Sequence, residues 1–540
     1  MDNQLYGLPT QQACESAPKI QEMQEIKEQN EHKECALRFR MLSVGCFFYA
    51  LFYTFCLYHN KSGITYPFFI GGTLYFFCFY LKKFGATAAR DRRFLMGSMI
   101  LLGIINCTTD SWVLISLNRL FITVLIGVWL LESFHESFAW RLGAWGRALM
   151  HLVFGSFTQI YKPVMDAYWS NKQRERKRER SPEQEVRKER IWYGILGIGI
   201  SIPVLFFILL LLGSADALFN EMLCKAWDSL FSWSLPEFLT NGEWFQLLWM
   251  IGWSFLLVYG LLTYIGKREY IEAAVRTKTI ECDAFIAIAF LSLITVVYCL
   301  FCGIQIFGLF LGWMTLPEGY TYAGYARQGF FQLMFVTFIN FAIIIVTSIN
   351  QKEKSEKQIK YQKIMNLLLI IFTIIIIISA FFRMNLYEQK YGYTYLRLFV
   401  YYILWSEIIY MIPLTLYILG KKIDLLKSGI MIITAMYLIV NFSNIDYTIA
   451  KKNIDRYFEN QSKNEIDFNY LESYTGLDAI SQIKRLLNSE DKALAEKARY
   501  YLYEEKENLQ NENESWQEFN LSRWNARNEL IYVDLHEGGK

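Results

Sequence analysis

Residues Asn366-Leu-Leu-Leu-Ile-Ile-Phe-Thr-Ile-Ile-Ile-Ile-Ile378 decide the fold class. This run is apolar on every face. It lacks the one-sided stripe of a surface helix and the alternation of a barrel strand. In lipid the backbone must satisfy its own N–H and C=O groups, which leaves the α-helix. Similar runs recur on both sides of it: Met41–Tyr58, Ile64–Leu81, Phe94–Cys107, Trp112–Leu131, Trp192–Leu212, Phe245–Ile265, Ala284–Leu311, Phe330–Thr347, Asn366–Phe382, Leu398–Leu419 and Gly429–Asn444. Each approaches the roughly 20 residues that cross a bilayer, with Phe94–Cys107 and Gly429–Asn444 the shortest. The predicted fold is all-α: a polytopic transmembrane bundle of about eleven spans with a small helical C-terminal soluble tail.

Composition agrees. The 540 residues are 54% hydrophobic and 19% charged, against about 25% charged in an average soluble domain. That balance excludes a purely soluble enzyme, a disordered chain and a fibrous repeat. A net charge of +3 is too small for a nucleic-acid binder. The first 40 residues are polar, and no cleavable signal peptide is read there.

Basic residues orient the spans. Alternate connections hold 34 Lys and Arg, against 6 in the connections between them. The positive-inside rule then puts the N-terminus in the cytoplasm, and an odd span count puts the C-terminus outside. The expected organisation is a cytoplasmic polar tail (1–40), spans 1–4 (41–131), a cytoplasmic amphipathic and basic connection (132–190), spans 5–11 (191–446) and an outward-facing helical tail (447–540). Gln21–Glu34 has a thin apolar stripe, so the first segment reads as solvated and partly disordered. In the long connection, Phe134, Phe138, Leu142, Trp145, Leu149 and Leu152 recur at helical spacing. Such a helix lies in the membrane interface or packs on the bundle. Residues 172–190 are basic enough to contact anionic lipid, or to form a solvated helix laced by i,i+4 pairs. The tail, net −5, could form a helical cap that binds protein partners.

Metal and redox chemistry has little support. The five His have no ligand spacing, and most of the ten Cys fall in spans or on the cytoplasmic side, so no disulfide framework is read. Cys299-x-x-Cys302 sits inside a span as small apolar residues. No phosphate-binding, dinucleotide-binding, zinc-protease or nucleophile-elbow motif occurs, and no cofactor is expected.

Ionisable residues within spans are functional candidates, because burying charge in lipid is costly. Arg119 and Glu407 are the two that stand out, and opposite charges could pair across the bundle. Alternatively, Arg119 snorkels and Glu407 bonds a neighbouring Tyr or backbone group. Pro67, Pro203 and Pro413 can kink their spans. A polar cluster is expected on the outer face: Asp216, Arg383, Tyr387, Tyr391, Arg397, Asn444, Asp446, Asn453 and Arg456. It reads either as a site for an anionic or sugar-like group or as a clamp that fixes helix ends and docks the tail.

The stretch Arg383-Met-Asn-Leu-Tyr-Glu-Gln-Lys-Tyr-Gly-Tyr-Thr-Tyr-Leu-Arg-Leu398 resembles a bacterial polytopic membrane family of unknown function, domain of unknown function 4173, also numbered 4153. Asn444-Ile-Asp-Tyr-Thr-Ile-Ala-Lys-Lys-Asn453 is similar to a second hallmark, Leu212-Gly-Ser-Ala-Asp216 to a third and Asn520-Leu-Ser-Arg523 to a fourth. The resemblance covers about 190–456 and extends toward the tail. It implies a bacterial inner-membrane protein and brings no activity, substrate or catalytic residue. Three functions stay open: a transporter-like or envelope assembly and sensing component, a membrane enzyme on a lipid-linked or envelope substrate, and a scaffold.

Reporter fusions test the threading. Fusions at Arg178 and Lys357 should report cytoplasmic and a fusion at Lys540 external; a cytoplasmic Lys540 reporter breaks the eleven-span scheme.

Overall fold

The computed structural model describes residues 11–60, 62–85, 91–134, 142–176, 243–266, 284–306, 322–349, 355–459, 466–512 and 515–533, with scattered positions between 193 and 225. Helix accounts for the regular structure, and no strand occurs among the described residues. The elements are α1 (Gln11–Leu57), α2 (Thr65–Lys83), α3 (Asp91–Asn106), α4 (Trp112–Phe134), α5 (Leu142–Phe157), α6 (Lys162–Arg176), α7 (Glu243–Gly266), α8 (Ala284–Gln305) and α9 (Tyr322–Ile349). After them come α10 (Glu356–Tyr391), α11 (Tyr395–Ile418), α12 (Leu425–Phe442), α13 (Ile445–Glu459), α14 (Phe468–Tyr474), α15 (Ile480–Ile483), α16 (Lys492–Asn511) and α17 (Leu521–Ile531).

Eight of these, α1, α4 and α7 through α12, are long and apolar enough to cross a membrane. The chain is thus an integral, multi-pass membrane protein. The expected second and third spans are helical as α2 and α3 but are not among the eight. The first is rich in Tyr and Gly and ends on two Lys; the second has only 16 residues and opens on Asp91-Arg92-Arg93. The expected span Trp192–Leu212 falls almost wholly outside the described residues. Helix α1 starts at Gln11, so helix covers most of the segment expected to be a partly disordered tail. Of the expected interfacial helix, Leu142, Trp145, Leu149 and Leu152 lie on α5, Phe134 ends α4 and Phe138 lies outside the described residues. On α5, Trp145 and Leu152 are buried, while Met150, Val153, Phe154 and Phe157 are exposed apolar residues. Of the basic stretch 172–190, residues 177–190 lie outside the described residues.

Two compact units divide the chain. The first comprises residues 1–58, 76–85 and 146–275, where α1 packs on both α6 and α7. A fully buried Asp166 on α6 joins the three helices. Its carboxylate takes two hydrogen bonds from the Arg38 guanidinium, each 2.6 Å, and a third from the Tyr259 hydroxyl at 2.8 Å. Both carboxylate oxygens are satisfied, which a buried charge requires. Close approach also matters: a Cβ on Gly45 would collide with the Tyr80 hydroxyl.

The second unit comprises residues 59–75, 86–145 and 276–540. Within it α10 packs against α8, α9 and α11, α11 packs on α12, and α12 reaches α3 and α4 through α3. Leu369, Ile376, Ile377, Ala380, Leu404 and Leu414 fill the centre of the α8–α11 bundle. Outward, Phe285, Ile286, Leu293, Val296, Val297 and Leu300 of α8 are exposed, Leu293 by 69%, as a lipid-facing helix requires. Helix α10 starts at a capping box: Ser355 Oγ accepts from the Gln358 N–H while Gln358 Oε1 accepts from the Ser355 N–H. Helices α13–α17 form a small cap with its own core of Ile449, Ile454, Leu471, Ile480, Ile483, Leu486, Ala498, Leu502 and Leu530. That core is continuous with Leu114 of α4 and Tyr395 of α11, so the cap folds onto the ends of the bundle helices.

Asp166→Ala should strip about 3–5 kcal/mol from the first unit, because it leaves a buried guanidinium unpaired. Thermal unfolding in detergent measures it. An Arg38→Met/Asp166→Leu pair, which removes both charges, should recover much of the loss; if the single and double variants unfold alike, the ion pair does not hold these helices.

Candidate functional site

Three polar constellations stand out in the second unit. The first surrounds the break between α10 and α11. Gly392 ends α10 at φ +78°, and its N–H donates to Glu388 O at 2.8 Å. That left-handed backbone favours glycine. Space demands it as well, because a Cβ there would strike Asn453 Oδ1. Arg397 Nη1 donates to Tyr391 O at 3.0 Å and to Gly392 O, and its guanidinium lies 4.5 Å from the centre of the Tyr387 ring. The Tyr387 and Tyr391 rings are themselves in contact. From α13, the Asn453 side chain closes a two-way pair with Tyr393, accepting its N–H at 2.7 Å and donating to its carbonyl at 2.9 Å. Arg456 donates to Gln389 O at 3.2 Å. These side chains are directed at backbone groups of the helix break, which ties α13 to the α10–α11 junction.

The second constellation docks the cap on the α3–α4 turn. Asn520 caps α17 through Ser522 N–H at 2.9 Å, and its Nδ2 donates to Thr109 O at 2.9 Å. The Leu521 N–H bonds Cys107 O at 2.9 Å. Arg523 pairs with Asp110 at 2.8 Å, and Thr109 Oγ1 donates to Asp478 at 2.5 Å. Asp446, wholly buried, opens α13 and accepts the Gly476 N–H at 2.6 Å. Its other oxygen, Oδ1, is buried without a hydrogen-bond partner. Burial pushes the Asp446 carboxyl up to about 7 from its ordinary 3.8; the Gly476 N–H and the Ser111 hydroxyl oppose the rise, and the nearby carboxylates of Asp478 and Asp110 add to it. Burial also raises Asp110, against the pull of Arg523. An open cavity of about 380 Å³ lies alongside, lined by Asp110, Glu505, Glu512 and Arg523 among others. Asn444 precedes α13, two positions before Asp446. It takes a left-handed φ of 44°, which Asn tolerates, and its Oδ1 accepts the Tyr447 N–H.

The third lies within the bundle. Along α10 the buried polar positions Gln362, Asn366, Thr373, Ser379 and Arg383 form a series at successive depths. Twenty-one residues separate its ends, or roughly 31 Å at 1.5 Å per residue, about the thickness of the hydrocarbon layer. Each level has partners on α8 or α9. Ser379 donates to Gln305 at 2.7 Å, and Arg383 reaches the same oxygen at 3.4 Å. A side chain on Gly329 would occupy the place of the Arg383 guanidinium. Lower down, Tyr298 donates to Asn340 at 2.6 Å and Asn340 to Thr373 at 3.0 Å. Glu407 accepts from Thr337 at 2.9 Å, and its Oε2 is buried without a hydrogen-bond partner. At the far end Thr347 donates to Asn366 at 3.1 Å, Asn366 to Ser348 at 3.2 Å, and Gln362 to Thr347 O.

The residues of the expected outer cluster are spread over the three constellations. Tyr387, Tyr391, Arg397, Asn453 and Arg456 gather at the helix break, Asn444 and Asp446 belong to the cap dock, and Arg383 belongs to the bundle. Asp216 lies outside the described residues. Arg119 and Glu407 are not partners: Arg119 sits 5.6 Å from the Tyr66 ring centre, and Glu407 bonds Thr337. Asn118, beside Arg119, is the buried hub there, bonding Asn106 at 2.9 Å and Tyr437 at 2.7 Å. Cys299 and Cys302 are free thiols. Among the described residues no group of His, Cys, Asp or Glu is placed to hold a metal. Sequence reasoning did not single out Thr109, Asp110, Asp478, Thr337 or Asn340. Asn340 and Thr337 carry a readable signal, since each is a polar residue inside an apolar run.

The raised Asp446 carboxyl gives a signed prediction. The folded state holds this proton more tightly than the unfolded chain, so its contribution to cap stability is complete below about pH 4 and is lost as pH rises through 7. Hydrogen exchange of α13–α15 should show looser docking across that window. Asp446→Asn should flatten the dependence; an equally steep dependence in the variant assigns it to other groups.

No curated protein and no solved structure matches the chain. A family profile does match, over residues 96–486, which takes in α3 through the first part of the cap. The match begins well before residue 190, where the motif resemblance starts, and stops short of Asn520-Leu-Ser-Arg523. It holds both the Arg383–Leu398 and the Asn444–Asn453 stretches, and on that extent the chain belongs to the family described as a domain of unknown function, DUF4153.

Proposed function

We propose that the protein is a translocator of a proton or small cation in the bacterial cytoplasmic membrane. In this reading it has eleven spans, its N-terminus is cytoplasmic and the cap lies outside. The supporting observation is the series of buried polar groups along α10, spaced over about the depth of the hydrocarbon layer, with Glu407 bonded to Thr337 of the adjoining α9. Polar groups are expensive in a bundle interior, and a sequence of them at successive depths offers hydrogen-bonding stations to a crossing ion. Glu407 is the exchanging group: one oxygen is held by Thr337 and the other has no partner to lose when it takes up a proton or cation. Pro413, inside α11 six residues beyond Glu407, removes a backbone hydrogen bond and gives that helix a point of bending.

An envelope assembly or sensing role has one specific support, the buried Asp446 at the cap dock, and the two roles are compatible. The enzyme reading has less. It needs a cleft beside Arg383 and Arg397, and neither residue lines the cavities described here. A scaffold role draws on the exposed Trp516, Trp524 and Tyr532 of the cap.

Full-length protein in liposomes loaded with a pH-sensitive dye tests the proposal. Wild type should dissipate an imposed proton or potassium gradient faster than empty liposomes. Glu407→Gln should remove most of that rate, and Thr337→Val should slow it. Equal rates for wild type, both variants and empty liposomes sink the translocator reading.

A further inference from the structure

A cavity of about 280 Å³ opens where α9, α10 and α11 end together. Its rim carries Lys363 of α10 and Lys421 and Lys422, which follow α11. All three are exposed. Among the described residues none has a carboxylate within ion-pair distance, although the salt bridges elsewhere in the chain are well formed. Three ammonium groups around one opening repel one another, and no described carboxylate is paired with them. The turn after α11 creates the convergence. Gly420 takes φ +101°, and a Cβ there would lie 3.7 Å from Lys363 Nζ. The left-handed residue thus reverses the chain beneath the Lys363 ammonium and delivers the next two lysines to the same mouth.

The wall has two characters. Ser348 and the buried Gln362 and Asn366 form a polar back, while Ile359, Tyr417 and Ile418 form an apolar side continuous with the bundle. Cationic rim, hydrogen-bonding back and apolar flank together suit a phosphate group with an ester substituent. Helices α9–α11 are membrane spans, so the mouth lies at headgroup depth, on the face that basic residues mark as cytoplasmic.

We infer that this cavity binds a phosphate ester anion, held by Lys363, Lys421 and Lys422. The anion comes from one of two sources: the headgroup of an anionic phospholipid or a soluble phosphate monoester. The site lies apart from Glu407 and does not depend on the translocation reading.

Full-length protein in phosphatidylcholine nanodiscs tests both sources. Spin-labelled phosphatidylglycerol should associate more strongly than spin-labelled phosphatidylcholine, or glycerol 3-phosphate should bind measurably by calorimetry. The first result identifies the lipid source and the second the soluble one. In either case Lys363→Gln, Lys421→Gln and Lys422→Gln combined should weaken association, by on the order of fivefold per lysine neutralised. The three Lys→Arg replacements should keep most of it. Lys357→Gln/Lys360→Gln, on the same helix but outside the cavity, controls for general surface charge. These side chains are exposed, so the variants should fold, and unfolding temperature checks that. The inference is overturned if neither probe binds selectively, if the triple Gln variant binds like wild type, or if the control pair loses as much as the triple.

Discussion

Every polar group that this chain carries into its apolar bundle must find a partner there, and the rest of the structure follows from how that is done. The backbone meets the demand by being helical. Side chains meet it in small local sets: Asp166 with Arg38 and Tyr259, Asn118 with Asn106 and Tyr437, Asn340 with Tyr298 and Thr373. An unpaired member of such a set would carry a penalty of roughly 1–3 kcal/mol, and more if charged. These sets therefore choose which helices are neighbours, a choice that dispersion between lipid-like side chains leaves nearly open.

The same demand explains the positions where it is left incomplete. Glu407 and Asp446 each keep one buried oxygen without a hydrogen-bond partner. Other buried polar atoms of the second unit also lack one, among them the Thr434 hydroxyl, Asn441 Oδ1 and the Ser522 hydroxyl. The two carboxyls occupy different settings. Glu407 lies midway along a span, bonded to Thr337 of α9. Asp446 lies where the cap meets the bundle, at the first turn of α13, close to two further carboxylates.

The architecture of the cap depends on backbone recognition as well as on charge. Asn520 and Asn453 each bond main-chain groups of another element, and Gly392 leaves the space that Asn453 needs. The apolar core of α13–α17 continues into Leu114 and Tyr395, so docking buries side chains as well as satisfying helix ends. Membership of a family without an assigned activity places weight on such physical detail, since the family itself brings no chemistry.

Helical class, the positions of most spans and the polar character of Arg383, Arg397, Asp446 and Asn453 were legible in the residue order. Each depends on local composition or on a polar residue in an apolar run. Asn366–Ile378 admits one reading in lipid, and its helix forms wherever its neighbours are. The apolar runs at Ile64–Leu81 and Phe94–Cys107 were less decisive, because length and hydropathy alone do not separate a span from a short packed helix. Partners were not legible. Thr109 and Asp478 are 369 positions apart, and Asn118 and Tyr437 are 319 apart. Nothing in the local sequence of either member indicates the other. The sequence by itself determined that this chain lies in a membrane as helices; the tertiary structure decided that Arg119 and Glu407 stay apart and that Lys363, Lys421 and Lys422 meet. Hydropathy is a property of each segment alone, whereas pairing depends on which segments pack together.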